Sequence, residues 1–548
     1  MKVSFVLILI AFTSIINSIH AQSPDWLWAK GTGGTNYNSG TDVCEDSFGN
    51  VYMYGNFQSL TLTLGATTLT NSGLSDIFIV KYDANGNELW ALKVGNTDQD
   101  IAHSIAADAM GNIIITGVFY SSTLTFGNYT LVNSGTRDLF VAKLDSNGVF
   151  LWAKNALGFN FDFGYDITVD NGGNIYVTGE FNSGTIVFDS YVLNNAGGED
   201  VFIAKYDTDG NVLWAKRAGG AGSDAGFGLS VDHSGNVFMT GQFYSSSITF
   251  DTVNLTNTGD RDYFIVKYDS VGTVQWAVSG DGTGSDYGYR VCNDSLGNVF
   301  VTGGFGSSSL VVGSTVLTSN GFDDSFIIKY DSNGNVVWAN SIGGTNADVG
   351  TGIDINNQGL VFVTGRFSSP VVYVGVDSLF NLTPLLAEAF IVCFDSVGLP
   401  LWAKSINGTL VENITGIFCN NDGYVYISGG FQSTEISLGS TTLLNPNGND
   451  GFIAKLDNVI ISGLNDLMQT DGFVISPNPF STYTTIYFTE EVMNCSLKII
   501  DMLGNTLRTT IFNGNQYVIE KELLKPGIYF IQIASQNKNT SFQKCVVQ

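Results

Sequence analysis

Tryptophan recurs at a fixed interval along this chain. Trp28, Trp90, Trp152, Trp214, Trp276 and Trp338 are 62 residues apart, and Trp402 follows after 64. Seven of the eight tryptophans fall on this lattice, so any fold must be assembled from copies of one unit. A buried indole removes roughly 150–250 Å² from water, which makes each a strong anchor for its own copy.

Around Trp214 the unit reads as a hairpin. The apolar run Val201 to Tyr206 meets the turn Asp207-Thr208-Asp209-Gly210, and a second run ends at Trp214. Asp207 is expected to close an Asx turn on its own backbone, with Gly210 supplying the positive φ. One period holds four strand-like runs: Asp166 to Asp170, Asn174 to Phe181, Asp200 to Tyr206 and Asn211 to Lys216. A shorter ribbon, Thr185 to Phe188 with Tyr191 to Asn194, lies between the second and third. Each period is therefore one small antiparallel sheet.

Seven copies are counted from the Gly-x-Phe that ends the second run, at Phe57, Phe119, Phe181, Phe243, Phe305, Phe367 and Phe431. The last copy, Asp450 to Asp457, has no Trp strand after it, and the first Trp strand, Trp26 to Lys30, has no hairpin before it. The two orphans complete each other if the N-terminal strand pairs into the last copy, which removes both open sheet edges. The expected fold is all-β: a seven-bladed β-propeller over residues 22–458, closed by its N-terminal strand.

The motifs Gly173-Asn174-Ile175-Tyr176-Val177-Thr178-Gly179-Glu180-Phe181 and Phe202-Ile203-Ala204-Lys205-Tyr206-Asp207, followed by Trp214-Ala215, resemble the SBBP family of bacterial β-propeller repeats. The resemblance implies that the Trp strand is outermost and that the run Asp166 to Asp170 lines the axis. It implies little chemistry, because propellers host binding, scaffolding and catalysis alike. The sixth copy departs most, with Pro370, Glu388 and Cys393 at positions that are otherwise regular. That pattern reads as drift.

Ahead of the repeats, Lys2 precedes an apolar stretch from Val3 to Ile16 and small residues up to Ala21. Residues 1–21 read as a secretory signal peptide, too short in its apolar core for a spanning helix. No other segment reads as a transmembrane segment of the mature chain. After the repeats, residues 459–471 read as a linker and residues 472–548 as a small immunoglobulin-like β-sandwich. The motifs Pro477-Asn478-Pro479-Phe480, Leu503-Gly504-Asn505 and Pro526-Gly527-Ile528-Tyr529 resemble the type A C-terminal sorting domain of the type IX secretion system of Bacteroidetes. Cys545 stands where that family usually carries a basic residue. The resemblance implies the type IX secretion machinery as a partner, passage across the outer membrane, and release or attachment to surface lipopolysaccharide.

With 50 acidic against 23 basic residues, the formal charge of −27 repels nucleic acid and anionic lipid and favours solubility. Of six cysteines, Cys44, Cys292 and Cys419 recur at matching places and read as small packing residues. Export leaves room for a Cys495–Cys545 disulfide. Beyond the signal peptide only His103 and His233 remain, so multi-histidine metal sites and histidine triads have almost no material.

The suggestive constellation is a second lattice: Asp100, Asp162, Asp224, Asp286 and Asp348, with Asn38 and Asn413 in the first and last copies. These residues are expected to ring one mouth of the channel, where they would either bind Ca²⁺ or a polar ligand or cap their own loops. No cofactor is required by the sequence. The segment Asp207-Thr208-Asp209-Gly210-Asn211 resembles the opening of a calcium loop, but it is one residue too tight before Gly and reads as a hairpin turn. Phe161, Phe163, Tyr287 and Tyr289 suit either stacking on sugars or packing between blades. The function expected is non-catalytic binding or adhesion to a glycan or protein ligand. The alternatives are an enzyme acting on extracellular polysaccharide through channel carboxylates, and a structural component of a surface or gliding layer. A near-axial histidine or an asymmetric acidic pair would favour the enzyme.

Overall fold

The computed structural model describes residues 23–458, apart from 376, 384–385 and 446–447. In the tail it describes residues 473–476, 483–501, 506–521, 524–525, 527–535 and 538–547. The expected signal peptide and linker lie outside the described residues, as do Pro477, Asn478, Pro479, Phe480, Gly504 and Pro526. Contacts divide the chain into a unit spanning Ser23–Val459 and a second unit that holds the tail strands.

The first unit consists of seven four-stranded antiparallel sheets, each accompanied by a two-stranded ribbon. In the third sheet the order is Asp162–Val169, Ile175–Phe181, Asp200–Tyr206 and Val212–Ala218, with the ribbon Thr185–Phe188 and Tyr191–Asn194. The first strand thus begins at Asp162, four residues earlier than its apolar pattern suggests. The third strand, Asp200–Tyr206, is buried at every position, which is why it reads as a continuous apolar run. The Trp strand, only partly buried, lies at the outer edge.

The repeated glycine of Gly-x-Phe has a steric cause. A Cβ on Gly179 would lie 1.8 Å from the Phe163 carbonyl oxygen and 3.0 Å from the Phe202 ring. Gly55, Gly117, Gly241, Gly303, Gly365 and Gly429 meet the equivalent carbonyl of their own first strands. Only hydrogen fits there.

The first strands touch one another in sequence: Asn38–Glu45, Asp100–Ala107, Asp162–Val169, Asp224–Val231, Asp286–Asn293, Asp348–Ile355 and Glu412–Cys419, the last of which touches the first. The contacts between first strands thus run from sheet to sheet in a closed cycle. The seventh sheet is completed by Trp26–Gly31, which pairs antiparallel with Asp450–Leu456 in the register Trp28↔Lys455 and Ala29↔Ala454. The core lies between successive sheets. Tyr176, Val201, Ile203 and Trp214 of the third pack against Val237, Met239 and Phe264 of the fourth.

The tryptophans anchor joints rather than their own sheets. Trp152 Nε1 donates to the Thr208 carbonyl at 3.1 Å, and its ring lies under Gly210 in the turn of the next sheet. Trp28, Trp90, Trp214, Trp276 and Trp338 make the same bond to Ala84, Ser146, Ser270, Ser332 and Ser396. Trp402 Nε1 is buried without a partner. The turn it would reach is the seam of the ring, where the chain is not continuous and the Asp457 amide instead donates to the Asp25 carbonyl.

In the tail unit, the long strand Tyr483–Asp501 pairs along one edge with Thr506–Glu520, and along the other with Phe473–Ser476 and Gly527–Ser535. Lys538–Val547 extends the sheet beyond Gly527–Ser535. The strands are joined through this one long member, whose ladder is interrupted between Tyr487 and Cys495. Ile486, Cys495, Leu497, Ile499, Ile519, Tyr529 and Ile531 form the core. Tyr529 Oη donates to the Lys525 carbonyl at 2.8 Å. Cys495 is a buried thiol of this core, and the side chain of Cys545, its expected disulfide partner, lies outside the described residues.

Candidate functional site

Each first strand opens with one residue of the acidic lattice, and the structure buries it completely. Asp100, Asp162, Asp224, Asp286 and Asp348 are 0% exposed, as are Asn38 and Glu412. Glu412, not Asn413, holds this position in the seventh sheet, since Glu412 faces Phe431 as Asp100 faces Phe119. Asn413 is the second residue of its strand.

The carboxylates are spent on their own loops. Asp224 accepts the Ser245 hydroxyl at 2.6 Å, the Ser245 amide at 3.1 Å and the Gly220 amide at 2.9 Å. Ser121, Ser183, Ser307 and Ser369 serve Asp100, Asp162, Asp286 and Asp348 in the same way. Burial pushes these acids up, Asp100 to about 6 and Asp162 to about 7, with a second acid from the preceding sheet, Asp76 or Asp138, adding to the effect. Each joint thus carries two acids on facing strands, except the first, where Asn38 Nδ2 donates to Asp450 Oδ1 at 3.1 Å. Among the described residues no group of three His, Cys, Asp or Glu side chains is set to hold a metal.

The turn aspartates are equally committed. Asp207 Oδ1 accepts the Asp209 and Asn211 amides at 2.9 and 2.8 Å, and its Oδ2 accepts Asn211 Nδ2 at 2.8 Å. At the far ends of the first strands a shallow cavity of about 250 Å³ is lined by Glu45, Asp46, Asp108, Asp170 and Asn420. Its aspartates cap turns, and Asp108 also binds Lys143 at 3.0 Å.

A second series of residues recurs in the first strands. Every first strand carries a bulge at its fourth position, where the ladder steps over one residue, as between Gly164 and Asp166. The residues stepped over are Thr41, His103, Tyr165, Phe227, Tyr289, Thr351 and Thr415. A bulge re-aims a side chain out of the sheet, and all seven are partly exposed. Four consecutive sheets supply an aromatic arc, and the other three supply threonine. Tyr165 lies 5.2 Å from Phe227 and 5.3 Å from His103 between ring centroids, and Phe227 lies 5.7 Å from Tyr289. Phe163 stacks on Tyr165 at 5.4 Å and 7°.

Polar groups edge this arc. Tyr165 Oη donates to Glu180 at 2.9 Å. Burial, with Glu199 nearby, pushes the Glu180 carboxyl up to about 7. His103 Nδ1 lies 2.6 Å from the Gly164 carbonyl, which assigns the proton to Nδ1 and leaves a lone pair on Nε2. Burial lowers the imidazole to about 4, so it is neutral at physiological pH. One residue further along, Ser104 Oγ lies 2.8 Å from Asp42 and 2.7 Å from Asp166. One hydroxyl proton serves one of these contacts, and the other calls for a proton on Asp42, whose carboxyl burial pushes up to about 6. Both acids also accept amides of the neighbouring sheet, Ile105 and Leu229, so they tie sheets together at the axis.

Of the four aromatics singled out from sequence, Phe163 belongs to the arc and Tyr289 is one of its bulge residues. Phe161 and Phe163 sit under Arg137, at 4.6 and 4.3 Å, and Tyr287 donates to Asp323 at 2.9 Å beneath Arg261. Sequence reasoning missed Tyr165, Phe227 and Glu180. The available signal was loss of the repeat: at the bulge position the residue type changes from sheet to sheet, whereas the Gly-x-Phe of the paired second strand holds in all seven.

Residues 474–548 match the family model of the secretion system C-terminal sorting domain. Over 90% of its length the chain is 26% identical to an uncharacterised WD repeat-containing protein of Acanthamoeba polyphaga mimivirus, covering 43% of that protein. Over 24% of the chain it is 31% identical to an endo-acting ulvan lyase of Formosa agariphila, covering 26% of it. The chain spans less than half the length of the curated relatives it matches. Among solved structures, PorZ, a surface component of the type IX secretion system of Porphyromonas gingivalis, is similar with 10% identity and a TM-score of 0.21, over 95% of this chain and all of that one. The chain therefore ends in a sorting domain of the type IX secretion system, and the protein is exported to the outer cell surface or secreted.

Proposed function

We propose that residues 22–458 are a seven-bladed β-propeller of SBBP type and act outside the cell as a non-catalytic binding or adhesion module. The partner is held at the mouth where the seven bulges aim their side chains. The observation that carries this reading is the asymmetry of that ring. Positions that build the fold are near-identical in every sheet, and the seven partly exposed bulge residues are not. The sorting tail brings such a module to the surface, and the interruption in its long strand supports folding into two layers of an immunoglobulin-like sandwich.

A second reading, action on a polysaccharide, draws on Glu180 and the near-axial His103. A half-protonated carboxyl beside a tyrosine hydroxyl has the makings of a general acid. Hydrolysis needs a second carboxylate across the bond. Asp42 and Asp166 are bound to Ser104 and to backbone amides, and the neutral imidazole is a weak base, so the binding reading is preferred.

Both readings are tested by presenting extracellular polysaccharides and matrix proteins to the wild-type chain and to a Tyr165→Thr/Phe227→Thr/Tyr289→Thr variant. Bound mass and polymer length are measured together. The binding reading expects capture that the variant loses, with polymer length unchanged. Shortening of a polymer, abolished by Glu180→Gln, would replace it with the enzyme.

A further inference from the structure

Resting on the binding reading above, we infer that the aromatic arc binds an uncharged sugar, a hexose unit of a neutral glycan, with Tyr165, Phe227 and Tyr289 meeting its apolar C–H face. The chemistry of the mouth selects this class. Aromatic rings partly open to solvent suit a ligand that is itself apolar on one side and polar at its edge. The edge groups are neutral or mixed: His103 Nε2 accepts, the Glu180 carboxyl takes the Tyr165 hydroxyl, and Thr351, whose proton goes to the Ile414 carbonyl, offers a hydroxyl oxygen from the opposite arc.

Charge argues against an acidic polymer. Arg137 is held by Tyr120 and by the rings beneath it, Arg261 by Gln242 and Tyr287, and the chain as a whole carries −27. Arg290, beside Tyr289, spends its Nη1 on the Phe227 carbonyl at 2.6 Å, so among the described residues each of these three arginines already has a bonded partner. Neighbouring rings of the arc lie 5.2 to 5.7 Å apart, so they form one contiguous aromatic surface.

The test is titration calorimetry of the full chain with cellohexaose, laminarihexaose and mannohexaose, beside an acidic set of oligogalacturonate and a heparin hexasaccharide. Binding of at least one neutral oligomer is expected, weakened at least about tenfold by Phe227→Thr, which removes one of the three stacking faces. Phe227→Tyr should retain it, and Tyr289→Thr serves as an independent second variant, each with its melting curve recorded. Absence of binding to all three neutral oligomers overturns the inference. So does neutral binding that both threonine variants leave intact. Binding confined to the acidic set but lost in the threonine variants overturns the neutral-sugar assignment while the binding reading stands.

Discussion

Asp162 and Asp138 illustrate how the repeat sets the stability of this protein one residue at a time. Burial and the facing acid hold Asp162 protonated up to about pH 7 in the fold, against 3.8 for an unperturbed carboxyl, and Asp100 behaves alike up to about 6. Between pH of about 4 and about 7 the folded chain binds more protons than the unfolded chain, so stability falls as pH rises through that window. The turn aspartates Asp46, Asp83 and Asp207 are shifted down, so their contribution is lost below about pH 4. Melting temperature should therefore peak near pH 4 to 5 and decline toward pH 7; a maximum at pH 7 or above would refute the buried acid pairs. The joint without a pair offers a sharper check. Asn38→Asp converts a hydrogen bond to Asp450 into an acid–acid contact and should cost about 1–3 kcal/mol at pH 7, with most of it recovered at pH 5. A pH-independent cost would mean simple misfit.

At the scale of strands and turns, the Trp lattice made the hairpins, the ribbons and the count of copies legible from sequence, because large apolar residues and Asp-x-x-Gly turns have strong local signatures. The role of the tryptophans was less legible, since their partners lie one repeat ahead. Trp152→Phe removes a bond to Thr208 and should cost about 1 kcal/mol more than Trp402→Phe, whose indole has no acceptor. Equal costs by chemical denaturation would discount the joint bond. The bulges left no trace in the apolar pattern: a stepped-over residue obeys no alternation, so Tyr165 and Phe227 read as ordinary strand positions. Conversely, Asp224 looked like a ligand because acids on a lattice are conspicuous, yet a buried acceptor for two amides and a hydroxyl produces the same lattice.

For the whole molecule, the seventh sheet depends on one short strand ahead of the first repeat. Trp26–Gly31 supplies the outer strand of the seventh sheet, so removing residues 22–31 leaves Asp450–Leu456 as an open edge at the seam. A fall in melting temperature of at least about 10 °C, or loss of a single cooperative transition, is expected by calorimetry. An unchanged transition would contradict closure by this strand.

In the proposed propeller labour is divided: repeated positions hold the ring and the bulge positions are free to bind. Asp224 and Phe227 lie three residues apart in one strand and fall on opposite sides of that division. The most direct measurement is the melting temperature of Asp224→Ala beside Phe227→Thr in the full chain. Asp224→Ala should lose about 2 kcal/mol or more, because a buried hydroxyl and two amides lose their acceptor. Phe227→Thr should lose about 1 kcal/mol or less, since three sheets already carry threonine at that bulge. If Phe227→Thr proves the more damaging of the two, the aromatic arc is part of the scaffold and the division fails.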